Sequence, residues 1–500
     1  ISLLVIKGCF MSVLSIMIFL PIATALILFI ARININTVKI IYMIVTFVVM
    51  YLAIGLYMDF DPNASMQLVE FHPWIAEYGI AYHIGVDGVS LGIVMMNAII
   101  MPLVAIALYK QRDKHGYWIN LLFVQGGIMG AVLSLDLMLF YLFWEVMLLP
   151  IFFMIGLFGY GRNHFITMKF NMYTIFGSLM MLIAILYIAV QYKEQFGTYS
   201  FDLYDLKNTT LNTTESLLVF SGFMIAFAIK IPIFPFHTWL SDTYRSAPIG
   251  AVIVMSALMA KLGAYAIWRF LFTLLNETSH EVAPYFISIG LFGLIYFGIS
   301  AMSQIHLKRM FALSSASHLS LIVVGFFIYD VYGLVGSSYL IVSHAVSSAA
   351  LFLMVGMMYE RTKSHYLDVL GGIASVAPRF AVFFAFFALS IVGVPLTGGF
   401  VAEVLIVLGA FDYNIGVGFI TATTILIAML FMFKMISQVL YGKVTEATKN
   451  FEDLRIHELV ALVPLALLVL AMGIFPNYFI KKIEPTAKSY TVEKGMNTHE

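Results

Sequence analysis

The feature that most limits what this chain can become is a succession of apolar stretches, each near the roughly 20 residues an α-helix needs to cross a bilayer. Cutting at charged residues and Gly/Pro breaks gives about fourteen of them, near 12–30, 38–58, 88–108, 117–134, 135–158, 168–190, 216–236, 247–272, 284–302, 307–329, 331–358, 377–412, 416–441 and 456–476. Composition agrees, since 62% of the 500 residues are hydrophobic and only 11% charged, where soluble proteins carry about 25% charged. So much apolar surface fits one all-α polytopic membrane domain in contact with the lipid bilayer, not several soluble domains. Residues 1–10 read as an upstream extension before Met11, and the long apolar run after it is unlike a cleaved signal peptide.

The 27 basic and 27 acidic residues balance, and no basic cluster points to nucleic acid. Cys9 is the single cysteine, so the chain offers no intramolecular disulfide and no thiolate set for zinc or an iron–sulfur cluster. No phosphate loop or dinucleotide fingerprint is present, and no cofactor is expected in this chain. Redox chemistry would have to sit elsewhere.

Basic residues fall on alternate connections. Arg32, Lys39, Lys110, Arg112, Lys114, Arg162, Lys169, Arg245, Lys308, Arg309, Arg361, Lys363, Arg379, Lys443, Lys449 and Arg455 lie on one side, while the internal loops of the other hold only Lys193, Lys207 and Arg269. The positive-inside rule turns the first set to the cytoplasm and places both termini on the periplasmic side of a bacterial inner membrane. Lys308 and Arg309 are expected to be interfacial anchors.

Two spans carry helix breakers in mid-run, KIPIFPFHTW with Pro232 and Pro235, and GVPLTGGF with Pro395, Gly398 and Gly399. A shift of 163 residues lays Pro232 on Pro395 and roughly superposes helices four to eight on nine to thirteen. That pattern predicts two inverted five-helix repeats, each with a broken helix, and ion sites at the breaks. The chain then divides into the extension 1–10, N-terminal helices one to three in 11–116, the first repeat in 117–272, the second in 284–441, and helix fourteen with a basic tail in 442–500.

An ionisable side chain at mid-bilayer costs roughly 2.5–3.5 kcal/mol, so each one in a span needs a partner, water or a task. Glu145 lies deep in LMLFYLFWEVMLLPIFF, Lys230 precedes the first break, Lys261 sits in ALMAKLGAYAIW, and Glu403 follows the second break. His318 and His344 occupy the middles of helices ten and eleven. Lys434 is close enough to an end to snorkel, and a lone membrane histidine can serve helix packing alone. The four deep charges are harder to explain as packing, because left unpaired they cost on the order of 10 kcal/mol together. Proton transfer accounts for this mixture of types, since each group can load and release a proton. Glu145 and Lys230 would form a switch, and sequence order suggests a relay Lys261, His318, His344, Glu403. Asp87 and Asp136 stand where spans begin and are expected to be N-caps.

FYLFWEVMLLPIFFMIG, KIPIFPFHTWLSDTYRSAPIGAVIVMSALMAKLGAY, LKRMFALSSASHLS and SHAVSSAALFLMVG resemble the proton-pumping membrane subunits of complex I, the NADH:quinone oxidoreductase, and the related multisubunit sodium/proton antiporters. The similarity runs from about residue 84 to 442. It implies fourteen helices and a proton route through the residues matching Glu145, Lys230, Lys261, His318, His344 and Glu403. In the L-type and N-type chains and the antiporters the charge of the broken twelfth helix is lysine, whereas the M-type (chain 4) family has glutamate, as at Glu403. The chain also ends soon after helix fourteen, without the L-type lateral helix. The resemblance implies L-type and N-type partner chains, with flavin, iron–sulfur clusters and quinone held in partner subunits. The alternative is a subunit of a sodium/proton antiporter or membrane-bound hydrogenase. PFHTWLSDTYRSAP departs from the family's PLHTWLPDAHTEAP, His306 replaces an acidic residue, and GVPLTGGFVAEV replaces GLPGTSGFVGEF, which puts loop contacts in doubt but leaves the relay positions in place.

Overall fold

The computed structural model describes residues 12–31, 33–110, 114–161 and 164–496. The extension 1–10 and the basic positions Arg32, Arg112 and Arg162 lie outside these. Among the described residues thirteen helices are long and apolar enough to cross a membrane. They are α1 (Val13–Ala31), α2 (Ile35–Asp59), α3 (Gly88–Leu108), α4 (His115–Leu133), α5 (Leu137–Phe158), α6 (His164–Phe196), α7 (Thr213–Lys230), α8 (Ile249–Leu274), α9 (Asn276–Met302), α10 (Leu307–Phe327), α11 (Val331–Thr362), α13 (Ile415–Leu440) and α14 (Ile456–Ile474). The fourteenth is α12, broken into Pro378–Val392 and Gly398–Tyr413. α7 is also broken and resumes as the short helix Leu240–Ser246. Each break falls in the fourth helix of its set, α4–α8 or α9–α13, and because five crossings separate the sets, they start from opposite faces.

The helices begin where polar side chains can take up orphan N–H groups. Asp87 caps α3 in a capping box with Ser90, Asp136 caps α5, Asn212 caps α7 with Glu215, and Asp330 caps α11. The two N-caps expected from sequence are therefore present. α9 starts at Asn276 rather than 284, because Pro284 lies inside the helix instead of opening it.

Burial sorts the helices. The apolar windows of α8, α10 and α11 are wholly buried, whereas those of α2, α13 and α14 are about one-third buried. Side chains such as Phe29, Met172, Phe419 and Leu467 cover the outer faces, and this lipid-facing belt is why the composition is so apolar. The polar axis runs through the enclosed helices.

Two elements escaped the sequence reading. Strands β1 (Gln67–Ile75) and β2 (Ile80–Val86) form an antiparallel hairpin with Phe71 opposite His83. It turns at Gly79, whose φ of 67° suits glycine and where a Cβ would lie 2.0 Å from the Tyr199 carbonyl oxygen. The basic tail is helix α15 (Pro476–Met496), anchored by Lys482 Nζ on the carbonyls of Tyr57 and Phe60. Both lie on one face of the molecule, the hairpin face.

Two charge assignments change. Arg269 is in the last turns of α8, not in a loop, and is buried against Asp87. Lys308 is not an interfacial anchor, being fully buried with Nζ donating to the Ala247 carbonyl at 2.7 Å. Arg309 reaches Asp242 at 2.5 Å, and Asp242 also faces Lys169. These basic groups clamp the connection after the α7 break. Lys434 snorkels as expected, donating to the Met302 carbonyl from an exposed position.

Candidate functional site

The site grows out of the two helix breaks. At the end of α7, Pro232 interrupts the ladder, Ile233 N–H reaches back to the Ala228 carbonyl, and Trp239 Nε1 donates to the Ile229 carbonyl at 3.1 Å. An indole thus closes a carbonyl the helix would otherwise leave open. Gly263 of α8 lets this broken end come close, because a Cβ there would meet Lys230 Cβ at 3.1 Å. Lys230 is buried, and its Nζ stands 4.5 Å from the centre of the Trp144 ring with no hydrogen-bond partner among the described residues.

Glu145 follows Trp144 on α5 and is half-buried, with Oε1 lacking a hydrogen-bond partner. Its carboxylate is near enough to act on the Lys230 ammonium, yet the two make no ion pair. The structure therefore shows the proposed switch couple apart, with the Trp144 ring under the lysine. A cation over an indole face gains only part of what a carboxylate contact would give.

Lys261 lies on α8 just after a π-helical stretch, Met255–Met259. The wider turn loosens the carbonyls preceding the lysine, and its Nζ donates to the Ser256 carbonyl. This π turn packs on α11, where His344 lies within electrostatic reach of Lys261. Among the described residues neither His344 ring nitrogen has a hydrogen-bond partner. Beside His344 is a cavity of about 10 Å³ lined by Ser314, Ser348 and Ile391 among others, room for about one water with polar partners on two sides.

The second break is built differently. Pro395 has no N–H to give the Ile391 carbonyl four residues back. His318 of α10 fills that vacancy, with Nε2 3.0 Å from Ile391 O and Nδ1 2.9 Å from Ser314 O. Glu403 Oε1 stands 3.3 Å from the same Nε2, an electrostatic contact without hydrogen-bond alignment. Both ring nitrogens thus face acceptors only; an imidazolium can serve both sides and a neutral ring only one. Gly393 makes room for the carboxylate. Its φ is 74°, and a Cβ there would fall 2.7 Å from Glu403 Oε2. Ser390 Oγ donates to Ser347 Oγ at 2.7 Å and ties the break to α11.

The six sequence-predicted residues therefore fall into two groups: Glu145 faces Lys230, and Lys261, His344, His318 and Glu403 form a series in an order different from the sequence, while no electrostatic contact joins Lys230 to Lys261. The His318 and His344 rings are 5.0 Å apart, His344 faces Lys261, and His318 faces Glu403. The spatial series is Lys261, His344, His318, Glu403, the reverse of sequence order for the two histidines. Sequence reasoning missed Trp144, Trp239 and the Ile391 carbonyl, although the position four residues before Pro395 signals the last.

Away from the hairpin face, His306 and His365 stack with ring centres 5.2 Å apart. Burial, with Lys308 beside it, pushes His306 down to about 4, and burial holds His365 below the usual imidazole range too. Both stay neutral at ordinary pH. The histidine that replaces the family's acidic residue thus brings no charge of its own.

Residues 134–429 match the family described as NADH:quinone oxidoreductase/Mrp antiporter, transmembrane. NADH-quinone oxidoreductase subunit M of Rickettsia bellii is 33% identical over 96% of this chain and 99% of its own length. Subunit M of Rhodobacter capsulatus is 32% identical over 95% of each. Among solved structures, a chain of respiratory complex I from Thermus thermophilus with bound NADH aligns at a TM-score of 0.87 and 25% identity, covering 96% of this chain and 99% of that one. A chain of the Mrp complex from Dietzia sp. shares the fold at 0.84 with 19% identity, over 96% and 97%.

Proposed function

The chain belongs to the NADH:quinone oxidoreductase/Mrp antiporter family of membrane subunits, and from that premise we propose that it is the M-type proton-translocating subunit of NADH:quinone oxidoreductase. It would move protons while NADH oxidation and quinone reduction proceed in other subunits. The single observation that carries this reading is the buried series Lys261, His344, His318 and Glu403, which ends in the contact of His318 with Glu403 at the α12 break. The matching position is the one that separates M-type chains, with glutamate, from antiporter chains, with lysine.

In this reading Glu145 and Lys230 act as the switch. When the carboxylate swings onto the lysine the two form an ion pair; when it withdraws, the proton can pass from Lys230 toward Lys261. From Lys261 the proton passes to His344, His318 and Glu403. His318 can take a proton at one nitrogen and release one at the other, while Glu403 supplies the counter-charge. The half-buried side of α5, with Leu142 and Leu149 exposed beside Glu145, would face an L-type or N-type neighbour. Flavin, iron–sulfur clusters and quinone would reside in partner subunits. Lys39, Lys110, Arg245 and Lys443 on the face opposite the hairpin favour that face as cytoplasmic, leaving both termini in the periplasm.

Lys261→Ala tests the reading. The complex should assemble, yet proton pumping and coupled quinone reduction should fall. Wild-type pumping in the assembled variant would take Lys261 off the path.

A further inference from the structure

Tyr265 and Arg269 follow Lys261 at four-residue steps along α8, toward the hairpin face, and so share a side of the helix with it. Each is tied down. Arg269 Nη2 donates to Asp87 Oδ2 at 2.5 Å and Nε donates to the Tyr265 hydroxyl at 2.9 Å, which in turn donates to the Val132 carbonyl at 2.7 Å. Asp87 Oδ1 accepts from Val89 N, Ser90 N and Ser90 Oγ. Burial opposes ionisation of Asp87, but the Arg269 guanidinium and Ser90 hold its carboxyl below the usual carboxylate range. Directly above opens a cavity of about 340 Å³ on the hairpin face, bordered by Asp87, Arg269, Tyr204, Lys207 and Tyr490. It is roomy enough for many waters. Water thus reaches the ion pair, and Lys261 lies two helical turns beneath.

A proton wire needs groups that both accept and donate. A guanidinium does not give up its proton in a protein and has no acceptor. The Tyr265 proton is committed to a backbone carbonyl, which can only accept, and its oxygen already receives Arg269. Asp87 could take a proton from the cavity, but Arg269 and Ser90 hold it ionised, and neither Arg269 nor Tyr265 can hand a proton on to Lys261. A buried ion pair is also poorly explained by stability, since well-packed apolar residues in its place are often neutral or better. We propose that Asp87, Arg269 and Tyr265 form an insulating plug, which stops protons in the hairpin-face cavity from flowing back onto Lys261. The inference rests on the reading of Lys261 as a proton carrier, and it assigns to the arginine the task of keeping that carrier accessible from the relay only.

The test is passive proton flow through the whole complex, reconstituted in vesicles and given a pH step without substrate. Arg269→His replaces a group that cannot relay by one that can. It should raise proton conductance at least about threefold, by loss of the fixed cationic barrier, and lower the protons retained per NADH while electron transfer continues. An assembled Arg269→His complex as tight as wild type overturns the plug. Should the histidine variant not assemble, Arg269→Lys keeps the charge and the Asp87 pair but introduces an ammonium able to drop its proton. It should leak at least about twofold more than wild type, and a tight lysine variant overturns the plug equally. Adding Lys261→Ala separates the two readings. If the leak disappears, the plug guards Lys261; if it persists, protons bypass Lys261 and the plug as proposed is overturned, whereas the relay itself is judged by the pumping of Lys261→Ala alone.

Discussion

The two broken helices solve the same problem with different side chains. At α7 the open carbonyl is closed by Trp239, which does not titrate, so Lys230 is left without a hydrogen bond over Trp144, and Glu145 is held off. At α12 the open carbonyl is closed by His318, which does titrate and which also touches Glu403. Gain or loss of a proton in the second half therefore alters the hydrogen bonds that hold the break itself. In the first half it alters only an electrostatic balance between two groups that stand apart. One break is a fixed frame beside a separated charge pair, and the other is a frame made of the charge pair.

The largest effect is expected where the charges are least committed. Glu145→Gln removes the only counter-charge offered to Lys230 among the described residues at nearly constant volume, and coupled activity should fall at least about tenfold, or about 1.4 kcal/mol. Lys230→Met added to it should cost little more, since groups acting as one unit are non-additive. Independent losses in assembled complexes would break the comparison, by showing that the first half holds no pair.

A smaller loss is expected at α12. Glu403→Gln cannot counter an imidazolium at His318, whereas Glu403→Asp keeps the charge at a longer reach. Turnover of the glutamine variant should drop by about three- to tenfold, roughly 0.7–1.4 kcal/mol, and that of the aspartate variant by less. Equal turnover in the two would reduce Glu403 to a packing residue beside Gly393.

Next comes the frame of the first break. Trp239→Phe leaves the buried Ile229 carbonyl without its donor and should cost about 1–3 kcal/mol of stability, seen as a lower melting temperature of the purified complex. Pumping per turnover should stay the same. A proportionate loss of pumping would mean that this break, like the second, is part of the proton chemistry.

The smallest effect concerns Asp136, which caps the helix carrying Glu145 and is pushed up to about 6, chiefly by burial. The folded protein therefore binds a proton more readily than the unfolded chain, so this contribution is full below about 4 and is lost as pH rises through about 6. Asp136→Asn keeps the cap and should flatten the fall in melting temperature between pH 5 and 7.5 by an amount equivalent to on the order of 1 kcal/mol. An unchanged slope would put the pH response elsewhere.

Much of this protein was fixed by its order of residues. Apolar runs of bilayer length leave helices little alternative, because hydrocarbon offers no partner to an open backbone group. Deep charges announce themselves for the same reason, and prolines in mid-run mark both breaks. The hairpin and α15 were harder to see, since strand pairing and the docking of a polar helix depend on surfaces supplied by other parts of the chain. Only the tertiary structure put His344 between Lys261 and His318, set Trp144 beneath Lys230, and drew Arg269 and Asp87, 182 positions apart, into one ion pair. Sequence distance along a membrane helix gives depth but not facing direction around its neighbours. Which charge meets which is decided by how the enclosed helices α8, α10 and α11 turn toward one another when they pack.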